Sequence, residues 1–517
     1  MAETTPAPKP LDNTVTGTSL LNRIIVQDNL VRIPKPPQAT DPVPAVGANM
    51  LKAYVAALAD PEDANVKADA EKKGALYLLQ AHIDYIDDQL SKKVNAILHD
   101  PKLQALEASW RGLRYLVTRT ETGPSLKLRL FPVTYDNLKN DLVNAIDKDQ
   151  SSLFKKIYEE EYGTYGGNPF SLLIGDFYFG EGRKAEQFDL LRKISGVAAA
   201  AHTPLIAAAH WELFGLDSGF RDLGKPRDLS KIFESVELTE WREFRESDDS
   251  RYVTLCLPRF LLRLPYGEKF TACEKFAMDE NPPDDPDKVK EWQDREALWG
   301  NPAYALGARI TNAFALYNWC AAIRGTEGGG VVSDLPVHIF NTREGDKAMK
   351  CPTEVAITDR REFELDKLGF VTLVHRKNNN SATFFGGAST QKPKKFDLQA
   401  ANANAALSVR LPYLLAASRF AHYLKVICRD KVGSFQTKES LSLYLNRWIS
   451  QYVLAMDDAG QELKAQYPLR EARIDVADVP GKPGAYKAVC FLRPHFQLEE
   501  LTTSIRLVAE LPPPVAA

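Results

Sequence analysis

Residues 470–511 read REARIDVADVPGKPGAYKAVCFLRPHFQLEELTTSIRLVAEL. Ala472, Ile474 and Val476 alternate with Arg473, Asp475 and Ala477. After the turn cluster at 480–484, Val489, Phe491 and the stem of Lys487 face one way, and Tyr486, Cys490 and Leu492 the other. Leu501, Thr503, Ile505, Leu507, Ala509 and Leu511 then alternate with Thr502, Ser504, Arg506, Val508 and Glu510. Period-2 alternation broken by Pro and Gly predicts three strands in a row. The last runs into Pro512, Pro513 and Pro514, which cannot donate to a ladder. A strand so placed keeps an edge that either completes a meander or pairs with another chain.

The 517 residues predict two to four domains with ample core. With 65 basic and 68 acidic residues, the chain has no basic field for nucleic acid and no polybasic block for a membrane surface. No apolar run approaches the roughly 18 residues of a membrane span, and residues 1–10 hold no signal core, so a cytoplasmic protein is expected. The six cysteines form no C-x-x-C pair and read as free thiols in a reducing compartment.

Upstream, residues 1–48 read as a disordered tail, with eight prolines in the first 44 positions. Within it Ser19 caps a short helix pattern in which Leu20, Leu21, Ile24 and Ile25 share a face. So short a helix persists only when docked, either on its own body or in a partner's groove. Residues 49–120 read as a helical hairpin. Leu76, Leu79, Ile83, Ile86, Leu90, Val94 and Ile97 form one stripe; Leu103, Leu106, Trp110, Leu113 and Val117 form the next, after the Asp100–Pro101 cap. Residues 121–385 turn α/β: strands are expected over 126–130, 170–174, 252–257 and 370–375, and helices over 189–201, 303–323 and 359–368. A polar surface excursion is expected over 268–296. A boundary follows near 386, and residues 386–517 hold a long helix over 405–431 kinked at Pro412, another over 440–454, and the terminal strands.

Chemistry is scarce. H-E-x-x-H, G-x-S-x-G, G-x-G-x-x-G and paired Cys/His spacings are absent. Residues 219–225 fit G-x-x-x-x-G-K, but Pro226 stands where a phosphate loop needs a hydroxyl. This near-miss is all that supports the alternative class, a nucleotide-binding enzyme. The glycine run at 325–330 reads as a turn, and His202, His375 and His422 as core histidines. No catalytic residue, metal ligand or cofactor-binding residue is expected.

Residues 106–117 (LEASWRGLRYLV) resemble the signature of the large sheath subunit of bacterial type VI secretion systems, the TssC, VipB or EvpB family. So do residues 169–176 (PFSLLIGD), 190–201 (LLRKISGVAAAA), 257–266 (LPRFLLRLPY), 321–330 (AAIRGTEGGG), 350–361 (KCPTEVAITDRR), 418–425 (SRFAHYLK) and 493–511 (RPHFQLEELTTSIRLVAEL). The resemblance covers roughly residues 50–511 and implies a contractile phage-tail-sheath-like α/β (α+β) core, with a large outer insertion and C-terminal antiparallel strands. It implies a structural subunit, not an enzyme. Such a subunit pairs with a small TssB/VipA-like subunit, polymerises with itself around an Hcp-like tube on a baseplate at the envelope, and is recycled by a ClpV-like AAA+ unfoldase. It further implies that Leu20, Leu21, Ile24 and Ile25 bind the unfoldase. Ile474, Val476, Val489, Phe491, Ile505 and Leu507 would lie on inter-subunit strands, and Leu106, Trp110 and Leu113 on helices packing against the small subunit.

Overall fold

The structure is a computed structural model that describes residues 75–283, 286–341, 347–434, 437–456, 458–480, 485–495 and 497. The expected tail helix with Leu20, Leu21, Ile24 and Ile25, and the third terminal strand with Ile505 and Leu507, lie outside these residues. The chain divides into two compact units, Met1–Gln89 and Leu90–Ala517. The described part of the first is helical, with Ile83, Tyr85 and Ile86 exposed and Gln80 donating to Asp84 one turn on.

Elements follow in chain order. Helices α1 (Ala75–Leu98) and α2 (Pro101–Thr118) are joined by two residues. Asp100 ends the connection because its carboxylate accepts from the backbone N–H of Lys102 and Leu103 while Pro101 takes the first helical position. Next come α3 (Tyr135–Asn144), β1 (Leu173–Phe179), α4 (Ala185–Ala201), β2 (Leu205–Ala209), α5 (Thr239–Glu246), β3 (Val253–Leu257) and β4 (Phe260–Leu261). They are followed by α6 (Pro286–Glu296), β5 (Trp299–Gly300), α7 (Pro302–Tyr317), β6 (Val331–Val332), β7 (Ile339–Asn341), β8 (Lys347–Met349), α8 (Asp359–Lys367), β9 (Phe370–His375) and β10 (Ala382–Phe384). The last are α9 (Gln399–Ser408), α10 (Leu411–Lys431), α11 (Lys438–Ile449), β11 (Leu469–Asp478) and β12 (Tyr486–Pro494).

A six-stranded sheet ordered β1-β2-β3-β9-β10-β6 organises the second unit. β1, β2, β3 and β9 are parallel; β10 and β6 join antiparallel. Its inner strands are buried almost throughout because helices cover both faces. Leu205, Ala207, Val253, Leu255, Phe370 and Val374 pack with α4 and α5 on one side. Ile206, Cys256, Val371 and Leu373 pack with α7 and the start of α10 on the other. On the second side α2 lies across α7, so close that a Cβ at Gly112 would come within 2.4 Å of the Tyr304 ring. Burying a leucine here contributes roughly 1.5–3 kcal/mol, which sets the scale for the fully buried Leu255 and Leu373.

Several expectations are corrected. Residues 126–130 alternate but pair with no strand among the described residues. The strand expected over 170–174 begins at Leu173, whose pairing with β2 starts opposite Leu205, and runs on to Phe179. The helix expected over 303–323 stops at Tyr317, where Asn318 takes a left-handed conformation. The helix expected over 405–431 is two helices. Pro412 sits in the first turn of α10, where its missing N–H breaks no helical bond, and Arg410 at the boundary is extended (ψ 130°). The 268–296 stretch is only partly surface: Met278 and Glu280 are buried, and Glu280 accepts from Arg263 at 2.7 Å.

Candidate assembly surfaces

The terminal hairpin is the first surface. In an antiparallel pair, residues directly opposite share a face. The register sets Ala472 against Leu492, Ile474 against Cys490 and Val476 against Ala488. Most of this face closes over Trp319, Phe420, Leu445 and Ile449, with the Trp319 and Phe420 rings stacked at 4.5 Å. Arg473 against Phe491 and Asp475 against Val489 form the other face. There Phe491 is 51% exposed and the Arg473 guanidinium sits 5.1 Å from its ring centroid. The four described positions expected on inter-subunit strands therefore divide: Ile474 and Val476 face the core, while Val489 and Phe491 face outward.

The edges of the hairpin also differ. The Asn446 side chain donates to the Ile474 carbonyl at 2.7 Å and accepts from its N–H at 2.9 Å. An amide reaching from α11 thus caps that point of β11 as a strand residue would. Among the described residues β12 has only β11 as a strand neighbour. The alternation was readable in the sequence; the capping amide, 28 residues away, had no signal there.

The second surface is the outer stripe of α2. Leu106, Trp110 and Val117 are 54%, 60% and 48% exposed. Leu113 turns inward toward Leu116 and Tyr304. The helix carries apolar residues on two sides, and its own fold covers only one. Such an uncovered apolar stripe is a candidate contact with another chain.

The motif-like stretches resolve differently. In the near-miss phosphate loop, the backbone N–H of Phe220 donates to Glu354 at 2.8 Å, and Glu354 also takes a two-pronged bond from Arg259. The Lys225 ammonium pairs with Asp222 at 2.8 Å. A carboxylate already fills the place where phosphate oxygens would be held. In the glycine run, Gly325 and Gly330 donate to the carbonyls of Phe384 and Gly325, so these donors serve the turn itself. His202, His375 and His422 each bond within the fold, to Tyr252, Asn379 and Ala201. No group of His, Cys, Asp and Glu that fits a metal ion occurs among the described residues.

One charged cluster is sensitive to pH. Glu362 and Asp366 lie one turn apart on α8, and Asp366 accepts from Arg410 at 2.6 and 2.8 Å. Burial, reinforced by the Asp366 charge and opposed by Arg324 and Arg410, pushes the Glu362 carboxyl up to about 7 from its ordinary 4.5. A carboxyl with a raised folded pKa costs nothing below 4.5 and removes stability as pH rises from 4.5 to about 7. Glu362→Gln should therefore melt higher than the parent at pH 8 and close to it at pH 4, in paired thermal melts. An equal difference at both pH values would show that ionisation of Glu362 is not its cause.

Comparison with known proteins adds the remaining evidence. Residues 80–391 match a family model described as EvpB/VC_A0108, tail sheath N-terminal domain, and residues 400–511 one described as EvpB/VC_A0108, tail sheath gpW/gp25-like domain. The type VI secretion system sheath protein TssC1 of Pseudomonas aeruginosa is 47% identical over 441 residues, spanning 85% of this chain and 86% of that protein. Among solved structures, the anti-feeding prophage baseplate superposes with a TM-score of 0.32 at 11% identity, over 62% of this chain and 66% of that one. The contracted sheath of an extracellular contractile injection system gives 0.30 at 8% identity, over 62% and 68%. The two family models span most of the chain, and the relative shares nearly half its residues over most of both lengths. The chain thus belongs to the EvpB/VipB tail sheath family, and is a structural subunit of the contractile sheath of a type VI secretion system.

Proposed function

We propose that the chain is the large subunit of its sheath, that it works in the cytoplasm, and that it does mechanical rather than catalytic work. It pairs with a small TssB/VipA-like subunit, the pairs polymerise around an Hcp-like tube seated on a baseplate at the envelope, and contraction drives the tube outward. Leu20, Leu21, Ile24 and Ile25 offer a ClpV-like unfoldase its grip on the spent sheath. The domain plan is a tail over 1–48, helices over 49–120, an α/β sheath domain over 121–385 and a C-terminal domain over 386–517. In the same reading the strands carrying Ile474, Val476, Val489, Phe491, Ile505 and Leu507 pair between subunits, with Ile474 and Val476 on the face that holds them to the core, and the helix carrying Leu106, Trp110 and Leu113 packs on the small subunit through Leu106 and Trp110 while Leu113 anchors it inward. The observation that carries it is the 47% identity to a sheath protein over most of both chains. The outward apolar residues of α2 and β12 support it, since they are costly for a subunit that stays alone. No helix among the described residues is long and apolar enough to cross a membrane.

Expressed by itself, the chain should aggregate; co-expressed with its small subunit it should form soluble pairs and helical tubes in negative-stain micrographs. A monodisperse monomer that builds no tube with the small subunit would sink the reading.

A further inference from the structure

Residues 385–411 carry the chain from the part matched by the first family model, residues 80–391, to the part matched by the second, residues 400–511. The two ends of this crossing are laced together. The Ser389 N–H donates to the Val409 carbonyl at 3.0 Å and the Leu411 N–H to the Gly387 carbonyl at 2.8 Å, with Ala388 bridged to Arg410 between them. Gly386 to Thr390 are buried, so other parts of the chain cover the lacing.

Part of that cover is charged. A Cβ at Gly386 would come within 2.7 Å of Asp366 Oδ1 and 3.0 Å of Glu362 Oε1, so two carboxylates one turn apart on α8 converge on a single point of the crossing. The Gly387 N–H donates to Asp366 Oδ1 at 3.3 Å, and Arg410 holds both Asp366 oxygens. Arg324 Nε donates to the Phe385 carbonyl at 2.9 Å. Four charged groups face Glu362: Asp366 and Asp359 from α8, Arg324 from the turn ahead of the glycine run, and Arg410 from just before α10. Burial and the Asp366 charge outweigh the two arginines and raise its carboxyl to about 7. An ionised Glu362 therefore gains by reaching water, and lifting the crossing off α8 supplies that water.

We propose that the crossing is a proton-operated latch between the two parts of the chain. With Glu362 protonated, residues 385–389 stay clamped between α8 and Arg410. With Glu362 ionised, the clamp opens more often, and the C-terminal part gains freedom against the six-stranded sheet. The sign follows from linkage. The closed state binds the proton more tightly than the open one, so opening becomes easier as pH rises from 4.5 to about 7 and levels off above that. Between pH 6 and pH 8 the opening equilibrium should shift about tenfold toward open. Such an opening is local and precedes unfolding of the sheet. In a contractile sheath subunit the latch sets how stiffly the C-terminal part follows the sheet.

The test is amide hydrogen exchange in the full chain, purified from co-expression with its small subunit, with the parent beside Glu362→Gln at pH 6 and pH 8. Comparing the two proteins at one pH removes the intrinsic pH dependence of exchange. The expected result has two parts. The amides of Ser389 and Leu411 exchange faster than those of β2 and β3, because the crossing opens without the sheet. Their rate in the parent, relative to the glutamine variant, is about tenfold greater at pH 8 than at pH 6. A ratio that does not change with pH overturns the latch. So does exchange of Ser389 and Leu411 only at the slow rate of β2 and β3, since the crossing then opens only when the whole fold does. The latch is independent of the subunit pairing; if no pair forms, the same amides are read in the chain alone.

Discussion

Glu354→Leu is expected to lower stability by about 3–5 kcal/mol, because breaking a buried ion pair strands the remaining charge. The Glu354 side chain is 3% exposed and that of Arg259 19%, with both Arg259 nitrogens 2.8 Å from the carboxylate oxygens. The same carboxylate accepts from the N–H of Phe220, itself fully buried among Phe214 and the rest of the aromatic core. One substitution therefore takes a carboxylate partner from a guanidinium and from a backbone donor together. Arg259 would keep its contact with the Trp211 ring, 4.7 Å away, which offsets part of the loss. Glu354→Gln keeps an acceptor for Phe220 and should fall between parent and leucine variant. Urea titrations of the purified pair read the difference; equal midpoints for all three would mean that the ion pair contributes no net stability.

The second large effect separates the two faces of the terminal hairpin. Phe491→Asp places a carboxylate across from Arg473, with which it can pair, on a face already half exposed. Its cost to the fold should stay within about 1 kcal/mol. On the proposed reading its effect on assembly should be near-complete loss of long tubes, with pairs still purifying, because a charge replaces an apolar residue on the face proposed to meet a neighbour. Ile474→Asp should behave oppositely. Ile474 is wholly buried beside Trp319 and Phe420, so the carboxylate has no solvent and the C-terminal part should unfold, taking the pair with it. Limited proteolysis and electron microscopy of both variants separate these outcomes. Normal tubes from Phe491→Asp would mean that the outer face is not a subunit contact.

Where sequence reading succeeded, the signal was local. Asp100 and Pro101 start α2 through atoms within three residues, and Gly369 turns α8 into β9 at φ 86° with no side chain to clash. Where it failed, the deciding partner was distant. Residues 126–130 alternate as well as β12 does, yet a strand needs a neighbour, and none of the described residues supplies one. The apolar run continues across Pro412 and suggests one kinked helix, but a proline without an N–H fits the first turn of a new helix, and Arg410 before it is extended. The hairpin's alternation was correct. Which row faces inward depended on Trp319, Phe420 and Leu445 arriving from elsewhere in the chain. A cavity beside β1 was invisible for the same reason: its walls come from four separate stretches between Pro124 and Val426.

The pairing of β3 with β9 bears on how the chain is made. Leu255 lies opposite Phe370, and everything between them must leave the ribosome before the central sheet can close. At ordinary translation speeds that wait is on the order of ten seconds. During it the strand 253–257 has a neighbour on one side only, the strand 205–209. Parallel pairings across such separations form slowly, since loop closure precedes the reward. The β11–β12 hairpin, by contrast, closes over a short turn on the microsecond scale. Synthesis thus delivers the slow piece first and the fast piece last, so the outward residues of the terminal hairpin appear only once the central sheet has had all its strands for some time.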